Sequence, residues 1–157
     1  MPSRWNRKTG GLSHLFVDPY QFRVHHACEL RQPKQAAWLS GTASRGVILH
    51  NHICGNTLPI ADDFIATGAA VLEIDHKTDA RAIKPKAAGK TTLLGNIDTG
   101  LLYSGTPSEV EAACREAIEI MAPGGGFILG PGCALGTDTP AANIHALVES
   151  AKKYGRY

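Results

Sequence analysis

At 157 residues, 43% of them hydrophobic and with a formal charge of only +2, the chain is the size of one domain, with enough apolar sequence for a core and too little low-complexity sequence for wholesale disorder. No apolar run reaches the length of roughly 18 residues that a membrane span requires, and the N-terminal Met1-Pro2-Ser3-Arg4-Trp5 lacks the apolar core of a signal peptide. These features exclude a membrane protein and predict a soluble, cytoplasmic one.

The charge is unevenly spread. Residues 1–45 hold seven Lys/Arg against two acids, and residues 46–157 hold nine against twelve. The basic segment shows neither a basic helix face nor a nucleic-acid motif, so it is read as an irregular N-terminal extension and no nucleic-acid partner is expected. Val17 to Tyr20 and Ala36 to Leu39 suggest one or two loosely packed helical pieces there. His25, His26 and Cys28 form a His/Cys cluster with nothing to place it on a rigid element.

From residue 46 onward one theme repeats four times: a short apolar run, a polar or glycine-rich loop, then an amphipathic helix. The strand-like runs are Val47 to Leu49, Val71 to Ile74, Thr91 to Leu94 and Phe127 to Leu129, and the predicted helices cover Leu58 to Thr67, Thr78 to Ala88, Pro107 to Met121 and Pro140 to Tyr154. Thr106-Pro107-Ser108-Glu109 is a capping box with proline at the first helical position, and Thr139-Pro140 repeats the threonine cap and proline start. Gly68 and Gly89 fall where left-handed C-terminal caps belong. Val110, Cys114, Ala117, Ile118 and Met121 form one apolar stripe, which makes Cys114 a buried small hydrophobe.

Strand alternating with helix predicts an α/β protein with a parallel sheet. Four βα units are half of a TIM (β/α)₈ barrel, which typically needs about 250 residues. The alternatives are an open four-stranded sheet or a half-barrel over residues 46–157 that pairs with a second copy or a complementary half.

In parallel β/α folds, functional groups gather where the βα loops leave the carboxyl ends of the strands. His50, His52 and Cys54 follow the first run, Glu73, Asp75 and His76 end the second, Asn96 and Asp98 follow the third, and Cys133 follows the fourth. Two thiolates and an imidazole brought together form a ligand set for zinc, and three protein ligands leave a position open, as in catalytic sites. His52-Ile53-Cys54, with Cys133 about 80 residues later, is no finger or ribbon pattern, so only the fold could assemble it. The competing reading is a core histidine and two buried thiols, and His50 is a rival ligand. Glu73 and Asp75 could complete the ligand set, orient a ligating imidazole or bind substrate. Asn96 and Asp98 could contact substrate or form an Asx turn. His76 and His145 are read as surface residues. Gly124-Gly125-Gly126 precedes a strand, and Gly89-Lys90-Thr91-Thr92 lacks the earlier glycine of a phosphate loop, so neither predicts a nucleotide site.

The segments His52 to Thr57, Val71 to Asp75, Gly95 to Asp98, Gly105 to Val110 and Ala122 to Cys133 resemble the C-terminal half of the uroporphyrinogen decarboxylase family. More narrowly, they resemble its corrinoid-dependent methyltransferase branch, the methylcobalamin:coenzyme M methyltransferases and their bacterial relatives. The resemblance runs from Val47 to Tyr157 and leaves residues 1–45 unmatched, and Thr99 stands where relatives usually carry proline. It implies a (β/α)₈ barrel and zinc on His52, Cys54 and Cys133; from their strand-end positions Glu73 and Asp75 are the catalytic candidates and Asn96 and Asp98 the substrate-binding candidates. The implied reaction moves a methyl group from methylcobalamin, or another corrinoid on a partner protein, to a small thiol such as coenzyme M or homocysteine. The chain is expected to act as a fragment, inactive until the other half-barrel is supplied. The alternative within the family is metal-free decarboxylation of a tetrapyrrole carboxylate, which calls for arginines at the rim. The strand-end loops contain none.

Overall fold

The computed structural model describes residues 48–155. The basic segment 1–45, its His25/His26/Cys28 cluster and Val47 lie outside the described residues. In chain order the elements are β1 (His50–Ile53), a 3-10 turn (Leu58–Ile60) that runs into α1 (Ala61–Ala66), β2 (Val71–Ile74), α2 (Ala80–Ala87), β3 (Thr92–Ile97), α3 (Thr99–Ser104), α4 (Pro107–Met121), β4 (Phe127–Pro131) and α5 (Ala141–Tyr154).

The four strands form one sheet in the order β1-β2-β3-β4, and every neighbouring pair is parallel. A sequential, one-directional order is that of a barrel wall; a doubly wound sheet would reverse direction at a switch point. The fold is thus the α/β half-barrel wall of four βα units that the sequence predicts.

Side chains alternate across the sheet, and the two faces have different fates. Leu72, Ile74, Leu93 and Ile97 are at most 3% exposed and join Ile83, Leu102, Val110, Cys114, Met121 and Phe127 in one core beneath the helices. The opposite face presents His50, His52, Val71, Glu73, Thr92, Leu94 and Asn96, all partly or fully exposed. This second face ends at the C-terminal rim of the strands and carries the chemistry.

Local chemistry explains most of the element boundaries. The hydroxyl of Thr106 accepts from Glu109 N at 3.3 Å while Thr106 N donates to Glu109 Oε2 at 2.7 Å, so α4 opens on a reciprocal capping box. All five residues of its apolar stripe are buried. Gly68 and Gly89 take φ of +77° and +69°, the left-handed region where a side chain is strained.

Five expectations are corrected. The first strand is His50–Ile53, three residues later than the apolar run Val47 to Leu49, and Ile48 is 79% exposed. As an edge strand with one open face, it is placed by pairing with β2 rather than by its own hydrophobicity. β3 extends to Ile97, so Asn96 lies within a strand. A further helix, α3, follows directly because the Asp98 side chain accepts from Gly100 N at 2.8 Å and caps it. Thr139 does not cap α5: its hydroxyl donates to Gly136 O at 2.8 Å and Pro140 occupies the cap position. α2 begins at Ala80 rather than Thr78, because the Asp79 side chain accepts from Arg81 N and Ala82 N and caps the helix there.

Among the described residues no helix is long and apolar enough to cross a membrane. Met121→Ala, at a fully buried position of the α4 stripe, is expected to cost roughly 2–5 kcal/mol of unfolding free energy. Thr106→Ala, which removes half of the capping box, is expected to cost about 1 kcal/mol. Urea titration monitored by circular dichroism measures both.

Candidate metal centre

β1 and β2 run parallel with His52 opposite Glu73. That register puts the His52 ring on the open face and sets its Nδ1 3.2 Å from the Glu73 carbonyl oxygen and 3.7 Å from Glu73 Oε2. Both neighbours are acceptors, so the ring proton belongs on Nδ1 and the Nε2 lone pair is left for a ligand. Nε2 faces two sulfurs: Cys54 Sγ at 3.2 Å and Cys133 Sγ at 3.6 Å, with the sulfurs 3.5 Å apart. Among the described residues, His52, Cys54 and Cys133 are the group whose donor atoms could share one metal ion.

The triangle fits zinc. Tetrahedral bonds of about 2.0–2.1 Å to nitrogen and about 2.3 Å to sulfur separate the donors by roughly 3.5–3.8 Å, and the observed edges are 3.2–3.6 Å. The electrostatics agree. Burial first, then the hydrogen bond and charge of Cys133, then the carboxylates of Asp75 and Glu73, push the Cys54 thiol up to about 11. A thiol so placed is a poor free nucleophile at neutral pH, whereas a soft cation supplies the positive charge that this acidic surrounding lacks.

The cysteine loops are held from below by Asp75, which is 5% exposed. Its Oδ2 accepts from Gly55 N at 2.7 Å and its Oδ1 from Lys77 N at 3.0 Å. Burial would raise its pKa, but the two backbone donors outweigh that and hold the carboxyl below its usual range. Thr78 adds a second tie, donating to Gly55 O at 3.2 Å. Gly132 needs to be glycine: a Cβ there would lie 2.6 Å from His76 N. The backbone before Cys133 can approach β2 only without a side chain.

The other candidates fall nearby in different roles. His50 shares the face of His52 but stands outside the donor triangle, with its Nε2 2.8 Å from Glu73 Oε2. Asn96 donates to Thr78 O at 3.2 Å. Asp98, 48% exposed at its side chain, forms the Asx turn that caps α3. His145 is exposed, as expected, and Cys114 is fully buried. The surface reading of His76 missed its surroundings. Its Nδ1 is shielded from solvent 3.1 Å from Asp75 Oδ1 and 3.6 Å from Asp98 Oδ1, without the angles of a hydrogen bond. A histidine following a strand-end aspartate was the available signal.

A family model described as uroporphyrinogen decarboxylase (URO-D) matches residues 15–154, taking in much of the segment that the sequence reading set apart. A methylcobamide:CoM methyltransferase of Methanosarcina acetivorans is 32% identical over 110 residues, covering 69% of this chain and 30% of the relative. One from Methanosarcina mazei is 36% identical over 107 residues, covering 66% and 29%. A uroporphyrinogen decarboxylase of Magnetococcus marinus is 26% identical over 96 residues, covering 61% and 27%. Among solved structures, a methyltransferase from Methanosarcina mazei superposes with a TM-score of 0.69 at 28% identity, covering 80% of this chain and 36% of the other. The chain spans about a third of the length of the relatives it matches.

Asp75→Asn removes the charge that holds Gly55 N and Lys77 N and is expected to destabilise the fold by about 1–3 kcal/mol at neutral pH. A folded-state pKa below the unfolded value contributes stability above the unfolded pKa of about 3.9 and loses it as pH falls through the folded pKa. The gap between variant and wild type should therefore be full at pH 7 and close under acid. Urea midpoints from pH 7 down to pH 3 check this.

Proposed function

The chain belongs to the uroporphyrinogen decarboxylase family, and from that premise we propose that it forms the zinc-binding, thiol-activating part of a corrinoid-dependent methyltransferase. The observation that carries this reading is the convergence of His52 Nε2, Cys54 Sγ and Cys133 Sγ at the sheet rim. Three ligands of this kind match a catalytic zinc site with an open position. When bound there, zinc supplies a Lewis-acid centre that lowers the pKa of an acceptor thiol.

The residues of the chain divide the remaining work. His52 offers a neutral imidazole, its proton parked toward Glu73. Cys54 and Cys133 would hold the ion as thiolates. Asp75 keeps the Cys54 loop in place, and Asn96 and Asp98, at the end of β3, line the rim where an acceptor would lie. The acceptor is a small thiol, coenzyme M or homocysteine, and the methyl donor is methylcobalamin or a methylated corrinoid carried by a separate protein. The names of the methyltransferase relatives, methylcobamide:CoM methyltransferases, support a methylated corrinoid as donor and coenzyme M as acceptor. The rest of the barrel wall comes from elsewhere, from further polypeptide, a second copy or a complementary half.

Metal-free decarboxylation is the second reading, favoured by the decarboxylases among the relatives. A tetrapyrrole bearing several carboxylates needs cationic groups at the rim. The arginines among the described residues, Arg81 and Arg115, instead sit on helices beside Glu116 and Glu119.

Elemental analysis of the purified chain is expected to give about one zinc per chain, with none in Cys54→Ser or Cys133→Ser. Methyl transfer from methylcobalamin to coenzyme M or homocysteine, measured with the rest of the barrel wall supplied, should disappear with the metal. A folded wild-type protein without zinc would reject the reading, and porphyrinogen turnover by metal-stripped protein would favour the decarboxylase.

A further inference from the structure

Beside the donor triangle, His50, Glu73 and the triangle's own His52 form a connected chain on the open face of the sheet. His50 and His52 stand two residues apart on β1 and so project on the same side. Glu73, opposite His52 on β2, projects there too, with its side chain 17% exposed. Its Oε2 lies 2.8 Å from His50 Nε2 and 3.7 Å from His52 Nδ1, while its backbone oxygen lies 3.2 Å from the same Nδ1.

We propose that Glu73 is the positioning residue of the metal centre and that His50 is its anchor. The inference rests on the zinc reading above and goes beyond it. A glutamate has three side-chain torsions, and a carboxylate free to rotate would spend much of its time in solvent. The His50 ring, with its Nε2 2.8 Å from Oε2, holds it over the β1–β2 gap. Held there, Glu73 presents two acceptors to one imidazole nitrogen, the carbonyl in the sheet and the carboxylate above it. Both favour the proton on Nδ1, so the ring has one tautomer and one orientation, with Nε2 aimed at the sulfurs. A carboxylate behind an imidazole also makes the far nitrogen a stronger donor. Two neighbouring histidines in His50-Asn51-His52 thereby divide the labour: one binds the ion and the other fixes the group that aims it. This explains why His50, equally placed by the pleat, is not itself a member of the triangle.

The test uses the full chain and measures three things: zinc affinity by chelator competition, the visible absorption of the Co(II)-substituted protein, and the melting temperature of the metal-free form. Glu73→Gln is expected to weaken zinc binding about 10–100-fold and to shift the Co(II) bands, with the metal-free melting temperature unchanged. His50→Ala is expected to weaken binding several-fold, and His50→Gln, whose amide can make a polar contact with Glu73, to restore it. The double variant His50→Ala/Glu73→Gln should bind no more weakly than Glu73→Gln alone, since an anchor has no effect once its carboxylate is gone. Because the His50 side chain is 47% exposed, its variants decide the matter even if Glu73→Gln compromises folding. Wild-type affinity and an unchanged Co(II) spectrum in Glu73→Gln and His50→Ala, or additive losses in the double variant, would overturn the positioning role alone. A wild-type chain that binds no zinc would overturn the metal reading and this inference together.

Discussion

Cys54 and Cys133 come from opposite edges of the sheet, and the rest of the site depends on how that distance is closed. β1 and β4 are separated by two intervening strands, which at about 4.8 Å per step puts the edges roughly 14 Å apart. The two sulfurs nevertheless stand 3.5 Å from each other. The strands do not bring them together; the loops do, by folding inward over the ends of β2 and β3. Each loop reaches the centre through a contact with the residues that follow β2: Gly55 N with the Asp75 carboxylate, and the bare Cα of Gly132 with the backbone of Asp75 and His76. Asp75 is thus the post on which both cysteine loops lean. A buried, ionised carboxylate is costly unless its oxygens are satisfied, and here backbone donors satisfy them.

Register is the second half of the constraint. A one-residue slip of β1 against β2 would turn His52 toward the helices and bring Asn51 to the rim, because side chains alternate with period two. β1 has only four residues and a weak apolar signal, so its own sequence holds the register poorly. The polar ties do more: His52 to Glu73 O, Gly55 N to Asp75, and Thr57 N and Thr78 Oγ1 across the following turn. The residues that make the site are also those that align the strand beneath it. The two faces of the sheet are then independent in their demands. The helix side takes Leu72, Ile74, Leu93 and Ile97 and sets stability, while the open side bears the functional groups.

This division explains which features were legible in the sequence. Elements with a buried face announce themselves: Val71 to Ile74 and Pro107 to Met121 lie where apolar period and capping chemistry place them. β1 does not, because its residues are His, Asn, His and Ile, and its position comes from pairing across to β2. α3 was missed because six residues with one buried leucine carry little periodicity, and Asp98 was read as a turn or a substrate contact before it could be read as a cap. The triad His52, Cys54 and Cys133 was legible as chemistry from its residue types alone. That the three would meet followed only from placing each at the carboxyl end of a strand in one parallel sheet. Nothing local marks Glu73 as the neighbour of His52, since the two are 21 residues apart and joined only by register.

A cluster that joins the two edges of a sheet also bears on how firmly the sheet is held. The segment between Cys54 and Cys133 spans 79 residues and contains β2, β3, β4 and every helix from α1 to α4. Closing a loop of that length costs the unfolded chain about 4 kcal/mol of entropy, on the same reasoning that applies to a disulfide. An ion bound by both loops would remove part of that cost and would couple metal binding to folding, as it does in small zinc domains. The open face of the sheet offers no compensating core of its own: Leu94 is partly exposed and Ile128 is 44% exposed. On this side of the sheet, cohesion rests on the polar ties around Asp75 and the Glu73 backbone carbonyl and on whatever links the two sulfurs. The chemistry of the site and the closure of its scaffold therefore draw on the same few atoms.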